Sequence, residues 1–187
     1  MSLKGIIQYS HYLLEESVNN GETVVDATCG NGNDTLFLSE LVGNKGHVYA
    51  FDIQKQAIQT TRHLLEQHSK KNVTLIYDSH AHIDQYIANE QTIGGAIFNL
   101  GYLPKSDKTI ITRADTTITA LDKILMRLKR QGIVVLVIYH GHDGGKEEKK
   151  AILKHVIHLN QQKFTVLRYG FINQKNDPPF IIAIGKK

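Results

Sequence analysis

The chain has a single cysteine, Cys29, among its 187 residues. One thiol cannot close an internal disulfide, and it cannot build a cysteine-based zinc site. In the glycine-rich stretch around it, Cys29 reads as a small residue tolerated where backbone packs tightly, with no basic partner nearby to activate it. Long apolar runs are also missing. The longest, Ile133 to Tyr139, falls far short of the roughly 18 to 20 residues a membrane span requires. No basic region followed by an apolar stretch marks the first residues. A cytoplasmic protein with no membrane partner is expected. Internal repeats, low-complexity tracts and linkers are absent as well, and the length suits one α/β domain spanning residues 1–187.

What is present is an uneven distribution of charge. Residues 1–99 carry 6 Lys and Arg against 11 Asp and Glu, a net of −5, whereas residues 100–187 carry 16 against 7, a net of +9. The first part suits a cationic ligand and the second a polyanion. A basic surface also serves solubility, so charge alone leaves an RNA partner open.

The most informative stretch is Thr23 to Thr35, TVVDATCGNGNDT, followed by LFLSELV. It reads as a strand ending at Asp26, a loop containing Gly30 and Gly32, and a helix. In open α/β sheets ligands bind where such strands end, and glycine lets the backbone come close to them. Thr35 stands where a dinucleotide fingerprint would have its third glycine. Asp26 and Asp34 flank the loop and would repel a pyrophosphate, whereas a cofactor with an ammonium and a sulfonium would be attracted. S-adenosylmethionine (SAM) has both. The next strand, His47 to Asp52, ends 20 residues after Gly32, the spacing at which an acid reaches ribose hydroxyls.

Helical spacing is expected over Ser10–Val18, Leu36–Val42 with Asn33 or Asp34 as its cap, and Gln54 to about His68. A third strand, Val73–Tyr77, leads to Asp78-Ser79-His80, where Ser79 and His80 are placed either to meet an adenine or to cap a helix running to Ala88. Strand four, Gly94–Phe98, is followed by an amphipathic helix from Asp115 or Thr116, with Lys123, Arg127, Lys129 and Arg130 outward, stopped by Gln131-Gly132. Ile133–Tyr139 is β-branched throughout, as expected of a strand covered on both faces. A helix over Glu147–Leu159, with Ile157 inward, precedes Phe164–Ile172 and Phe180–Ile184. The connection between these last two strands is too short for a crossover helix, so they pair as an antiparallel hairpin. The expectation is a Rossmann-like, class I SAM-dependent methyltransferase architecture: seven strands, mostly parallel, an antiparallel last strand beside strand five, and helices on both faces. His140-Gly141-His142-Asp143 and His80-Ala81-His82 gather histidines, but a metal site needs three or four convergent ligands with a supporting shell. No metal is expected.

Strand four delivers Asn99-Leu100-Gly101-Tyr102-Leu103-Pro104. Methyl transfer from a sulfonium is an in-line displacement, so the protein's main task is to aim an acceptor lone pair. The Asn-Pro-Pro-Tyr motif of amino methyltransferases performs it after strand four, and Asn99-Leu100-Gly101-Tyr102 resembles that motif with Leu-Gly in place of Pro-Pro. Asn99 with the Leu100 carbonyl would accept the protons of an amine, and Tyr102 would stack on a flat base. An alkylammonium must first lose a proton. His140, His142 and water are all candidates for receiving it.

In this order DATCGNGNDTLFL, AFDIQ, DSH, FNLGYLP, YHGHDGG and FINQKNDPPF resemble the small bacterial methyltransferases once labelled rRNA methylases, a family assigned as MnmM-type tRNA 5-aminomethyl-2-thiouridine methyltransferases. The resemblance runs from about Ser10 to Ile184. It implies methylation of the exocyclic amine of a wobble uridine, giving the 5-methylaminomethyl form. It implies that Asn31, Asn33, Asp52, Gln54, Ser79 and His80 hold SAM, beside Asp26, Gly30 and Asp34. Leu100, Pro104, His140, His142, Asn173, Gln174 and Pro178 would face the anticodon region of the tRNA. A methyltransferase of rRNA bases or of a small amine, a SAM-responsive RNA-binding protein and a NAD-dependent oxidoreductase are the competing readings. Oligomeric state stays open, a homodimer included.

Overall fold

The computed structural model describes residues 3–101 and 111–187. Tyr102 and Pro104, two of the residues singled out above, lie outside the described residues. The elements alternate: α1 (Ile6–Ser17), β1 (Thr23–Asp26), α2 (Asn33–Val42), β2 (His47–Asp52), α3 (Lys55–Gln67), β3 (Val73–Tyr77), a 3-10 turn (His80–Gln85), β4 (Ile93–Leu100), α4 (Ala114–Arg127), β5 (Leu128–Ile138), α5 (Gly145–Val156), β6 (Phe164–Tyr169) and β7 (Phe180–Lys186). The strands form one seven-stranded sheet in the order β3-β2-β1-β4-β5-β7-β6. β7 alone runs against its neighbours, inserted between β5 and β6. That is the expected class I arrangement, and it places the switch in winding direction between β1 and β4, where the crevice at the strands' carboxyl ends opens.

Alternation along the strands divides the core into two layers. Val25, Phe98, Leu136 and Ile182 face Leu121, Ile124 and Ile152 of α4 and α5, while Val24, Ile97, Val135 and Ile181 face Leu14 and Val18 of α1, Leu38 of α2 and Ile58 of α3. Helices therefore cover both faces, which is why β4 and β5 read as unbroken apolar runs. α1 sits unusually close. A Cβ on Gly95 would meet Val18 Cγ2 at 2.6 Å, so the glycine in β4 makes room for the helix.

Several boundaries differ from the sequence reading. α1 spans Ile6–Ser17 and not Ser10–Val18. α2 starts at Asn33 after Gly32, whose φ of 86° only glycine adopts freely, and no side chain caps it. The segment after His80 is a short 3-10 turn and not a helix to Ala88. α4 ends at Arg127, not at Gln131-Gly132. Its last carbonyls are satisfied from a distant strand, with Lys186 Nζ donating to Leu128 O at 2.6 Å and to Leu125 O at 3.5 Å. Gln131, at φ 62°, belongs to a bulge in which Ile93 to Gly95 of β4 faces Leu128 to Ile133 of β5. Lys129 and Arg130 thus lie on a strand. α5 stops at Val156, leaving Ile157 exposed where it was expected to be buried. β6 stops at Tyr169, short of Ile172.

Candidate functional site

Three carboxylates stand around the glycine loop. Asp26, at the end of β1, has no exposed surface. Its oxygens accept the Thr28 amide at 3.1 Å and the Thr35 hydroxyl at 2.6 Å. Burial, followed by the charge of Asp34, pushes its pKa up to about 7. Asp52, at the end of β2, accepts the amides of Gly30 at 3.0 Å and Gln54 at 2.9 Å. Burial raises its pKa against the pull of those amides. The loop is tied down further: the Gly32 amide donates to Cys29 O at 2.7 Å, and Thr61 Oγ1 donates to Gly30 O at 3.2 Å. A Cβ on Gly32 would lie 3.0 Å from Thr61 Cα, so α3 presses directly on the loop. Asn31 and Asn33 are exposed beside it. Cys29 is buried and its thiol pKa is driven up, first by burial and then by Asp26, which makes it an inert packing residue as expected.

Asn99 stands two residues beyond Ile97, the register partner of Asp26. Its amide N–H donates to Thr28 Oγ1 at 2.7 Å, and its side-chain Nδ2 donates to Asp34 Oδ2 at 2.5 Å. The other oxygen of Asp34 lies 2.6 Å from His11 Nε2, and the His11 ring stacks on Phe37 at 3.8 Å and 3°. Both oxygens of Asp34 are therefore engaged by the protein. The Leu100 carbonyl, expected to help receive an amine, accepts the Tyr139 amide at 2.9 Å in the β4–β5 ladder. One lone pair of that carbonyl is thus taken, and the Asn99 side-chain oxygen stands beside it as an acceptor. The pKa of the Tyr139 hydroxyl is pushed up by burial and then by the charge of Asp34. Beyond Asn99, the Gly101 amide donates to Thr112 Oγ1 at 2.9 Å, and that hydroxyl donates to the buried Glu148 of α5 at 2.8 Å.

At the end of β3, Ser79 Oγ accepts the Ala81 amide at 3.2 Å, the capping alternative. His80 is buried against Phe98 and its Nδ1 lies 2.8 Å from Ala27 O. A carbonyl only accepts, so Nδ1 carries the proton and Nε2 presents a lone pair. Among the described residues that buried Nε2 has no partner. Burial lowers the His80 pKa and keeps the ring neutral.

The remaining candidates line the far side of the rim. His140 is buried beside Phe180, its Nδ1 3.7 Å from Asp177. Burial and then the charge of Lys149 lower its pKa. His142 lies between Gly101 and Gly145, where added Cβ atoms would meet its Cε1 at 3.6 and 2.8 Å. Asn173 and Gln174 are exposed and Pro178 is half-buried. Lys149 Nζ and the Arg168 guanidinium stand over the Phe180 ring at 5.6 and 4.5 Å. Among the described residues no group of three or more His, Cys, Asp and Glu is placed to hold a metal ion, and no helix is long and apolar enough to cross a membrane. A groove of about 680 Å³ lined by Leu125, Met126, Phe164 and Lys186 lies at the opposite end of the sheet, where β6 begins and β7 ends, far from these groups.

The structure thus gathers Asp26, Asp34, Asp52 and Asn99 at the switch point and keeps Asn173 and Gln174 in an outer loop. Thr28, Thr35 and His11 were missed. His11 has no local signal, because its partner is 23 residues away.

A family model described as "Putative rRNA methylase" matches residues 48–185. A curated relative from Arabidopsis thaliana, "tRNA (mnm(5)s(2)U34)-methyltransferase, chloroplastic", is 41% identical over 158 residues, 80% of this chain and 58% of the relative. The chain therefore spans little more than half the length of that relative. Among solved structures, a Clostridium thermocellum protein described as a "putative rRNA-methylase" superimposes with a TM-score of 0.97 at 46% identity, covering 100% of both chains. A Streptococcus mutans protein described as "a putative methyltransferase", solved in complex with SAH, gives 0.92 at 45% identity and the same coverage.

Proposed function

The chain belongs to the rRNA methylase family, and from that premise we propose that it is a SAM-dependent N-methyltransferase. Its substrate is the 5-aminomethyl group of the uridine or 2-thiouridine at the wobble position of tRNA, and its product is the 5-methylaminomethyl form. In this reading all 187 residues form a single domain that acts in the cytoplasm on the anticodon region. The observation that carries it is the convergence of three carboxylates and one asparagine at the β1–β4 switch point, a negative crevice with a hydrogen-bonding group at its mouth. The printed activity of the Arabidopsis relative supports the choice of substrate.

The residues present fit the cofactor. SAM supplies, when bound, a methyl group on a positively charged sulfur. Asp26 and Asp34 set a negative field along the loop formed by Gly30, Asn31 and Asn33. Asp52, pre-oriented by the Gly30 and Gln54 amides, offers its remaining lone pairs to ribose hydroxyls. His80 keeps a buried lone pair without a donor among the described residues, suited to an exocyclic amine of an adenine, with Ser79 beside it. Asn99 Oδ1 receives an N–H of the acceptor and orients its lone pair. Leu100, Pro104, Tyr102, His140, His142, Asn173, Gln174 and Pro178 complete the RNA side.

The test is tRNA from a strain that lacks the modification, incubated with the protein and methyl-labelled SAM, followed by mass spectrometry of wobble nucleosides. Label in 5-methylaminomethyl nucleosides is expected. Label only in ribosomal RNA or in free amines overturns the substrate, and tight SAM binding with no transfer to any RNA overturns the enzyme. In calorimetry SAM is expected to bind and NAD is not. Asn99→Ala is expected to cut kcat by about 100-fold, the cost of a misplaced acceptor, while SAM affinity holds.

A further inference from the structure

We infer that His11 and Asp34 are positioning residues that lock the Asn99 amide with only its oxygen turned to the acceptor. The inference rests on the methyltransferase reading and names what holds that reading's acceptor group in place.

A carboxylate accepts hydrogen bonds and an amide has one accepting and one donating end. The 2.5 Å contact with Asp34 Oδ2 therefore decides which end of Asn99 points inward: Nδ2 faces the carboxylate. Asp34 is itself held, because its second oxygen meets His11 Nε2 at 2.6 Å and the His11 ring lies flat on Phe37. The Asn99 backbone is fixed separately through Thr28. With the side chain held through Nδ2 and the backbone through its amide, Oδ1 is the side-chain atom of Asn99 left without a partner among the described residues. A group that only accepts selects an acceptor that brings a proton. A primary amine or ammonium satisfies it, whereas a carbonyl oxygen or a ring nitrogen without hydrogen leaves it unpaired, a mismatch that polar sites reject strongly. The carboxylate behind Asn99 adds attraction for a cationic amine. Helix α1, which precedes the glycine loop and looked like a lead-in, is thereby part of the acceptor site.

The test compares His11→Leu, His11→Gln and Asp34→Leu in the full chain, with SAM affinity, kcat and KM for the tRNA, and hydrogen exchange of the Asn99 side-chain amide by NMR, assigned through its loss in Asn99→Leu. His11→Leu is expected to lower kcat by about tenfold or more with SAM affinity held within about threefold, whereas Asp34→Leu, which also removes a charge from the SAM loop, is expected to lower both. His11→Gln, which keeps a donor at the Nε2 position, is expected to recover most of the loss. The Asn99 amide, slowly exchanging in the wild type, is expected to exchange freely in Asp34→Leu. Equal impairment by His11→Gln and His11→Leu reduces His11 to packing on Phe37 and overturns the inference. So does SAM affinity that falls in step with kcat in His11→Leu, or an Asn99 amide indifferent to Asp34→Leu. If the wild-type protein methylates no amine, the methyltransferase reading fails while the exchange measurement still decides the lock.

Discussion

Asp26 shows how one buried carboxyl reports on the whole crevice. Its ordinary pKa of 3.8 is raised to about 7 by burial and by Asp34. The folded chain therefore retains a proton that the unfolded chain has already released between those two values. Stability is greatest below the lower value and falls as pH climbs towards 7, at up to about 1.4 kcal/mol per pH unit for one proton. Burial shifts Asp52 and Glu148 the same way, so the whole-protein trend is not Asp26's alone. Asp26→Asn isolates it: without SAM, Tm is expected to fall less between pH 5 and 8 in the variant than in the wild type. Parallel Tm profiles would show that Asp26 does not hold the proton. A cation bound in the crevice favours the carboxylate, so SAM affinity is expected to rise with pH through about 7 in the wild type and to stay flatter in the variant. Asp26, Asp52 and Asn99 were legible in the sequence because each sits at or near a strand's carboxyl end, a position that local pattern reveals. His11 was not, because its role exists only after α1 folds over α2.

The elements were legible for the same reason and failed in the same place. β2 and β3 match their expected limits, since turn residues bound them on both sides. The end of α4 was misjudged because the group that completes its carbonyls, Lys186, comes from the last strand. Local sequence around Gln131-Gly132 looks like a helix stop, and tertiary pairing turns it into a bulge. The seating of α1 on β4 gives a direct test of such long-range dependence. Gly95→Ala puts a methyl 2.6 Å from Val18 Cγ2 and 3.3 Å from Leu14 Cδ2. The overpacking is expected to cost about 1 to 3 kcal/mol in chemical denaturation. Because α1 carries His11, the same change should lower methyl transfer. Val18→Ala in the same chain opens the space, so the double variant is expected to be more stable than the sum of the two single effects. Strict additivity would mean that α1 adjusts its position freely, and the argument for a rigid α1 would fall with it.

The whole molecule is polarised along its strands, and this decides which of its cations are free to meet RNA. At the amino end of the sheet, Lys129 Nζ lies 2.6 Å from Glu22 Oε1, and Lys123, also on the α4 side, pairs with Asp84 at 2.5 Å. Two of the four cations in the stretch that looked in sequence like an RNA face, Lys123 and Lys129, are thus paired within the protein. At the carboxyl end, Phe180 pairs with Ile138 in the ladder, which brings Lys149 and Arg168 to the rim that holds Asn99. Both stand over an aromatic ring, and neither has a carboxylate partner among the described ion pairs. Phosphate binding releases counterions in proportion to the cations engaged, with a logarithmic salt slope of about 0.7 to 0.9 per contact. Replacing Lys149 and Arg168 together by Gln is expected to weaken tRNA binding and to reduce that slope by about 1.4 to 1.8. Lys129→Gln is expected to leave the slope as it is and to lower stability instead, because it strands Glu22, whose pKa is held down by the hydrogen bond from Lys129 despite partial burial. Titrations of tRNA at several salt concentrations separate the two. A slope that responds to Lys129 and ignores Lys149 and Arg168 would put the RNA on the opposite end of the sheet from Asn99, where no methyl group could reach it.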